Sequence, residues 1–238
     1  MEKETILGVQ VCVTDYPQIK AAIKEDLEAQ RKAFLVAINP EKILKARKDE
    51  ALKNLLNNAT YQIADGVGVV YASKLRGGKI KSRVTGIDSM KMLCELSDEN
   101  GYRIFMYGAK EEILQKAKEK LIETYPNIQI AGTMNGYQKD KQAVVDAINE
   151  SNADIVLVAM GSPRQENWIV ENMNTVCAKV FQGVGGSFDV VSGTIPRAPQ
   201  WMQKCGLEWL FRLLREPKRI GRQIHLVSFL FLALFSRH

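Results

Sequence analysis

Short runs of consecutive apolar residues alternate, along most of this chain, with longer stretches whose apolar positions recur at helical spacing. Phe34–Ile38 (FLVAI) predicts a buried strand, closed by Asn39-Pro40 and followed by a helical stretch from Glu41. Arg103–Tyr107 (RIFMY) predicts a second strand, ending at Gly108 before a helix over Lys110–Tyr125. Ile128–Ala131 reads as a short strand and Gln138–Asn149 as a helix. Ile155–Met160 (IVLVAM) predicts another buried strand, meeting Gly161 and then a helix around Arg164–Met173. Ala178–Gln182 (AKVFQ) is the last clear strand and runs into Gly183-Val184-Gly185-Gly186. Apolar strands separated by helices of about 10–15 residues imply βαβ units and a sheet covered on both faces. The expected fold is therefore α/β: a Rossmann-like, mostly parallel sheet flanked by helices, with a helical C-terminal appendage. Ligands in such sheets bind beyond the carboxyl ends of the strands. Asn39, Asp65, Gly108, Gly161–Gln165 and Gly183–Gly186 all fall at such ends.

The pattern changes near Thr194–Pro199, where Pro196 and Pro199 bracket Arg197. Two regions are expected, an α/β catalytic domain over 1–195 and a basic amphipathic appendage over 196–238. The net charge of +6 resides in the second: residues 1–196 carry 25 basic and 25 acidic side chains. Leu207, Leu210, Phe211 and Leu214 form one helical stripe, and Arg212, Arg215, Arg219 and Arg222 form another. Pro217 is expected to divide this helix. The run Leu226–Phe235 is ten residues long, short of the roughly 20 that a spanning helix needs. A basic amphipathic segment ending in an apolar run reads as a device for docking on an anionic membrane surface. Each basic group near anionic lipid contributes about 1 kcal/mol. The alternatives are a tail packed on the body, or a contact between copies in a homo-oligomer. Nucleic acid is not expected as a partner, because the apolar end has no use there and the body has no net charge to offer.

Met1–Thr5 is charged and no apolar segment follows it, so no secretory leader is expected. Cys12, Cys94, Cys177 and Cys205 are scattered without a Cys-x-x-Cys pair, which suits reduced thiols. The expectation is a cytoplasmic protein held peripherally at the inner face of the membrane. The only histidines, His225 and His238, lie in the tail, so histidine-based acid/base chemistry is excluded from the body. No Asp-x-Asp motif and no His/Cys cluster occurs, so no metal site and no cofactor is expected.

Candidate chemistry remains at the strand ends. Gly183, Gly185 and Gly186 can present backbone N–H groups to a phosphate, although a tight turn explains them equally. Gly108 precedes a helix whose N-terminus is a second candidate anion site. Asp65, followed by Gly66-Val67-Gly68, is placed either as a general base or as a helix cap. Arg83 and Arg164 are candidate diphosphate partners, since guanidinium forks match phosphate oxygens. Neither a P-loop nor the Gly-x-Gly-x-x-Gly of a NAD-binding oxidoreductase is present where it would be needed. A non-catalytic membrane scaffold is the other competing class, and it should not bind a nucleotide.

Taken in order, several motifs form one set: Asn39-Pro40-Glu41, Ala64-Asp65-Gly66, Arg83-Val84-Thr85-Gly86, Gly161–Glu166 (GSPRQE), Gly183–Asp189 and Gly193–Trp201. This set resembles the bacterial WecG/TagA/CpsF-type glycosyltransferases of wall teichoic acid and exopolysaccharide synthesis, over nearly the whole chain. The resemblance implies inverting transfer of N-acetylmannosamine from UDP to the C4 hydroxyl of a GlcNAc-diphospho-undecaprenol acceptor. Another UDP-sugar, serving exopolysaccharide or capsule, is the alternative it leaves. It also implies metal-independent chemistry, with Asp65 as the base and Asn39, Arg83 and Gln165 around the donor sugar and diphosphate. Asp189 is implied near the nucleoside, and Tyr137 more weakly. The appendage is implied to dock on the membrane and complete the site. Ala37 stands where many members carry threonine.

Overall fold

The computed structural model describes residues 1–215 and 229–234. A hairpin of β1 (Lys3–Ile6) and β2 (Val9–Cys12) opens the chain. It turns through Leu7 and Gly8, both at positive φ, the twist that short antiparallel hairpins favour. Helix α1 (Tyr16–Glu28) follows, started by Asp15, whose side chain accepts from Gln18 N–H in a capping box. Its Ile19, Ile23 and Leu27, spaced four apart, face the core.

The remaining strands form one parallel sheet: β3 (Ala33–Ile38), β4 (Tyr61–Ala64), β5 (Arg103–Gly108), β6 (Gln129–Met134), β7 (Ile155–Ala159) and β8 (Val180–Gly183). The spatial order is β4-β3-β8-β7-β5-β6, so the last strand to be made lies between β3 and β7. Side chains alternate between two apolar layers, as a strand's two-residue period requires. Phe34, Val36, Ile38, Val156, Val158 and Phe181 enter one layer. Leu35, Ile155, Leu157 and Val180 enter the other.

The first layer is closed by the hairpin and by α2 (Pro40–Ala46), α3 (Glu50–Asn57), α4 (Val67–Leu75), α7 (Lys141–Glu150) and α8 (Arg164–Asn172). The second is closed by α1, α5 (Gly86–Asn100), α6 (Glu111–Thr124) and the short α9 (Ser187–Val191). The α/β class, the parallel sheet and the strand positions read from the sequence are thus observed. Beyond α9 come α10 (Gln200–Lys204) and α11 (Glu208–Arg215).

A last helical piece, 229–234, returns to the body. Its Phe229 and Ala233 are buried in the first layer. Part of the apolar run thought to enter lipid is therefore core, while Phe231 is 62% exposed. Pro217, Arg219 and Arg222 lie outside the described residues. Among the described residues, no helix is long and apolar enough to cross a membrane.

Candidate active site

Asp65 is the first residue beyond β4, and its N–H donates to Ile38 O at 2.8 Å, which aligns it with the end of β3. The cap of α4 is Gly66, not Asp65, and as a glycine it makes no side-chain cap bond. The capping alternative for Asp65 is therefore set aside. Gly66 has φ +95°, a conformation that favours glycine and lets the chain turn at once into α4. Gly86, the first residue of α5, closes the other side. A Cβ built on it would lie 3.3 Å from Ala37 Cβ and 3.9 Å from Asp65 Oδ2. Asp65, Ala37 and the N-terminus of α5 thus form one half-buried corner.

Asn39 caps α2 by accepting from Lys42 N–H at 2.9 Å, which leaves its Nδ2 as the donor a ligand could use. Lys42 Nζ turns inward to Glu166 Oε1 at 2.8 Å, with side-chain exposures of 9% and 0%. The same oxygen accepts from Gln165 Nε2 at 3.2 Å. Gln165 Oε1 accepts from two backbone N–H groups, Gly161 at 3.1 Å and Gly185 at 3.0 Å. One polar chain therefore connects the carboxyl ends of β3, β7 and β8, which are neighbours only because β8 lies between the other two.

This geometry changes the meaning of the glycines. A Cβ on Gly183 would stand 2.5 Å from Gln165 Nε2, so the smallest residue is required there by packing. The Gly185 N–H, offered from the sequence to a phosphate, is held by Gln165 in this structure. Gly186 is exposed at the start of α9, and Asp189 stands in that helix's first turn.

Arg83 precedes Thr85, the cap of α5, and donates to Glu208 Oε2 of α11 at 2.9 Å. Glu208 Oε1 accepts from Arg197 at 3.3 Å, and Arg197 forks onto both oxygens of Asp88 at 2.6 Å. Thr85 Oγ1 donates to Asp88 Oδ2 at 2.7 Å, and Thr85 N–H donates to Tyr16 Oη at 2.7 Å. Burial acts to raise the Asp88 carboxyl, but the bonds from Arg197 and Thr85 outweigh it and hold it below the usual carboxylate range. Burial, with the charges of Asp88 and Asp65 opposing the Thr85 bonds, pushes Tyr16 up to about 12. That phenol stays protonated at neutral pH.

Other expected site residues fall elsewhere. Tyr137, 69% exposed, follows β6 at the opposite edge of the sheet from Asp65. Five strand spacings separate those edges, about 24 Å. Gly108 is the last residue of β5, where a Cβ would meet Ala159 O, so close approach to β7 accounts for the glycine. The helix after it carries Glu111 and Glu112 in its first turn, which already complement its positive end. Arg164 is exposed at the start of α8. Arg212 and Arg215 fall on α11, and Arg215 stands 5.5 Å from the Phe211 ring centre.

A profile of the glycosyl transferase WecG/TagA/CpsF family matches residues 4–238. The chain belongs to the WecG/TagA/CpsF glycosyltransferase family. Two relatives carry the name N-acetylglucosaminyldiphosphoundecaprenol N-acetyl-beta-D-mannosaminyltransferase. That of Bacillus subtilis (strain 168) is 38% identical over 197 residues, 83% of this chain and 77% of the relative. That of Bacillus spizizenii (strain ATCC 23059 / NRRL B-14472 / W23) is 37% identical over 203 residues, 85% and 79% of the two chains.

Within this WecG/TagA/CpsF fold, Lys42, Asp88 and Glu208 enter the site region without having been singled out by the sequence reading, and Arg197, inside the quoted Gly193–Trp201 motif, had been given no role there. Glu166 lay inside a quoted motif but had no role. A charged residue reads as solvated unless its partner is known, and these pairs span as many as 125 positions.

Proposed function

We propose that this chain transfers N-acetylmannosamine from UDP-ManNAc to the C4 hydroxyl of GlcNAc-diphospho-undecaprenol, with inversion and without a metal ion. The names of both relatives support the acceptor and the sugar. The observation that carries the mechanism is Asp65 at the sheet's carboxyl edge, one residue before the helix cap Gly66 and flanked by Ala37 and Gly86. In a single displacement, the acceptor oxygen forms the new bond to the anomeric carbon as its proton passes to Asp65. The bond from that carbon to the β-phosphate oxygen breaks, and UDP leaves with the electron pair. Arg83 supplies positive charge to the departing diphosphate. In the resting arrangement that charge is taken by Glu208. The exposed Phe231 and Leu234 and the arginines of the appendage support docking on anionic lipid at the inner membrane face.

The test is an in vitro assay with UDP-ManNAc and lipid-linked GlcNAc diphosphate, with and without EDTA. Transfer that EDTA does not change is expected, and loss of transfer on chelation overturns the metal-free reading. A positioned base typically contributes about 10²–10⁴-fold, so Asp65→Asn should lower turnover by that factor and leave UDP binding intact. Near-normal turnover in Asp65→Asn removes it as the base.

A further inference from the structure

The Lys42–Glu166 pair has the wrong properties for a stabilising contact. Two charges at 9% and 0% exposure lose their hydration, and apolar residues of similar volume generally serve stability as well or better. Buried polar atoms are normally satisfied, yet Glu166 Oε2 has no hydrogen-bond partner among the described residues. The pair is fixed at both ends to groups of the site. On one side, the N–H of Lys42 orients Asn39. On the other, Glu166 Oε1 sets the direction of the Gln165 amide, whose carbonyl then has to face Gly161 and Gly185.

We propose that Lys42 and Glu166 are positioning residues: their buried ion pair holds Asn39, Gln165 and the 183–186 loop in the arrangement that binds the nucleotide-sugar. This rests on the reading of the site as a UDP-sugar site. The logic is directional. An anionic acceptor beside Gln165 Nε2 permits one amide orientation, with Oε1 toward the two backbone donors. Without it Gln165 Nε2 loses its fixed acceptor and only the two backbone N–H groups restrain the amide, so Asn39, Gln165 and the 183–186 loop are no longer tied to one another. Lys42 holds the Glu166 carboxylate in place through the 2.8 Å contact and couples it to the first turn of α2.

The experiment compares wild type with Lys42→Met/Glu166→Met, which removes both charges at similar volume, and with Glu166→Gln alone. Thermal melting, UDP binding by calorimetry, and kcat and KM for the donor are measured on each full chain. The double variant should fold and melt near or above wild type. Its UDP affinity should fall, and its donor KM rise, by about 10- to 100-fold, the scale of misplacing a bound group by around 1 Å. A folded double variant that binds UDP within twofold of wild type overturns the proposal and shows the pair to be structural. Glu166→Gln, if it folds, should weaken UDP less than the double variant, because its side-chain oxygen still accepts from Gln165. If wild type itself does not bind UDP, the reading of the site fails, and the inference with it.

Discussion

Two ionic assemblies flank Asp65, and they differ in their access to water. The floor, Lys42 with Glu166, is sealed at 9% and 0% exposure, and Gln165, which donates to Glu166, accepts from the backbone N–H groups of Gly161 and Gly185. The rim is wetter: Arg83–Glu208 is at 19% and 13%, Arg197–Asp88 at 16% and 31%. It also joins different parts of the chain, body on one side and appendage on the other. Charge–charge energy scales inversely with the local dielectric, so the same chemistry yields a fixed part below and an exchangeable part above. A ligand diphosphate could replace a carboxylate at the rim at modest cost, because one anion substitutes for another. No such exchange is open to the floor.

The strongest way to break this comparison is to remove one charge from each assembly. Glu166→Ala leaves the Lys42 ammonium buried without a counter-charge and should cost about 3–5 kcal/mol, read from urea unfolding. Equal loss on replacing Glu208 would show that the rim is as sealed as the floor. The expected outcome for Glu208→Gln is a stability change within about 1 kcal/mol, together with tighter UDP binding, by up to about fivefold, since Arg83 is released. Weaker binding there would mean that Glu208 positions Arg83 rather than competing for it.

The smallest effect is a matter of pH. The Arg197 and Thr85 bonds hold the Asp88 carboxyl below the usual carboxylate value, so its contribution is present above that ordinary value and disappears as pH falls through its lowered one. The stability gap between wild type and Asp88→Asn should be constant from about pH 8 to 5 and close below about pH 4. A gap that persists in stronger acid would assign it to packing rather than to the carboxylate.

Much of this architecture was legible in advance because β3, β5, β7 and β8 are continuous apolar runs, the signature of strands buried on both faces. The hairpin and α5 were not read, although Thr85 before α5 carries a capping signal. The order of strands has no local signature. Placing β8 between β3 and β7 brings Gln165 to Gly185 and Lys42 to Glu166, and it sends Tyr137 and Gly108 toward the far edge. Asp65 and Asn39 were legible because a polar residue directly after a buried strand is conspicuous. Glu208 was not, because a glutamate among arginines reads as ordinary surface.

The final described turn has one further consequence. Phe229 and Ala233 are buried in the first apolar layer, while Phe231 and Leu234 are 62% and 48% exposed. Shortening the polypeptide before residue 229 would uncork the interior as well as remove a greasy outer surface. Any trimmed version made for solubility would need a new stopper in place of that phenylalanine.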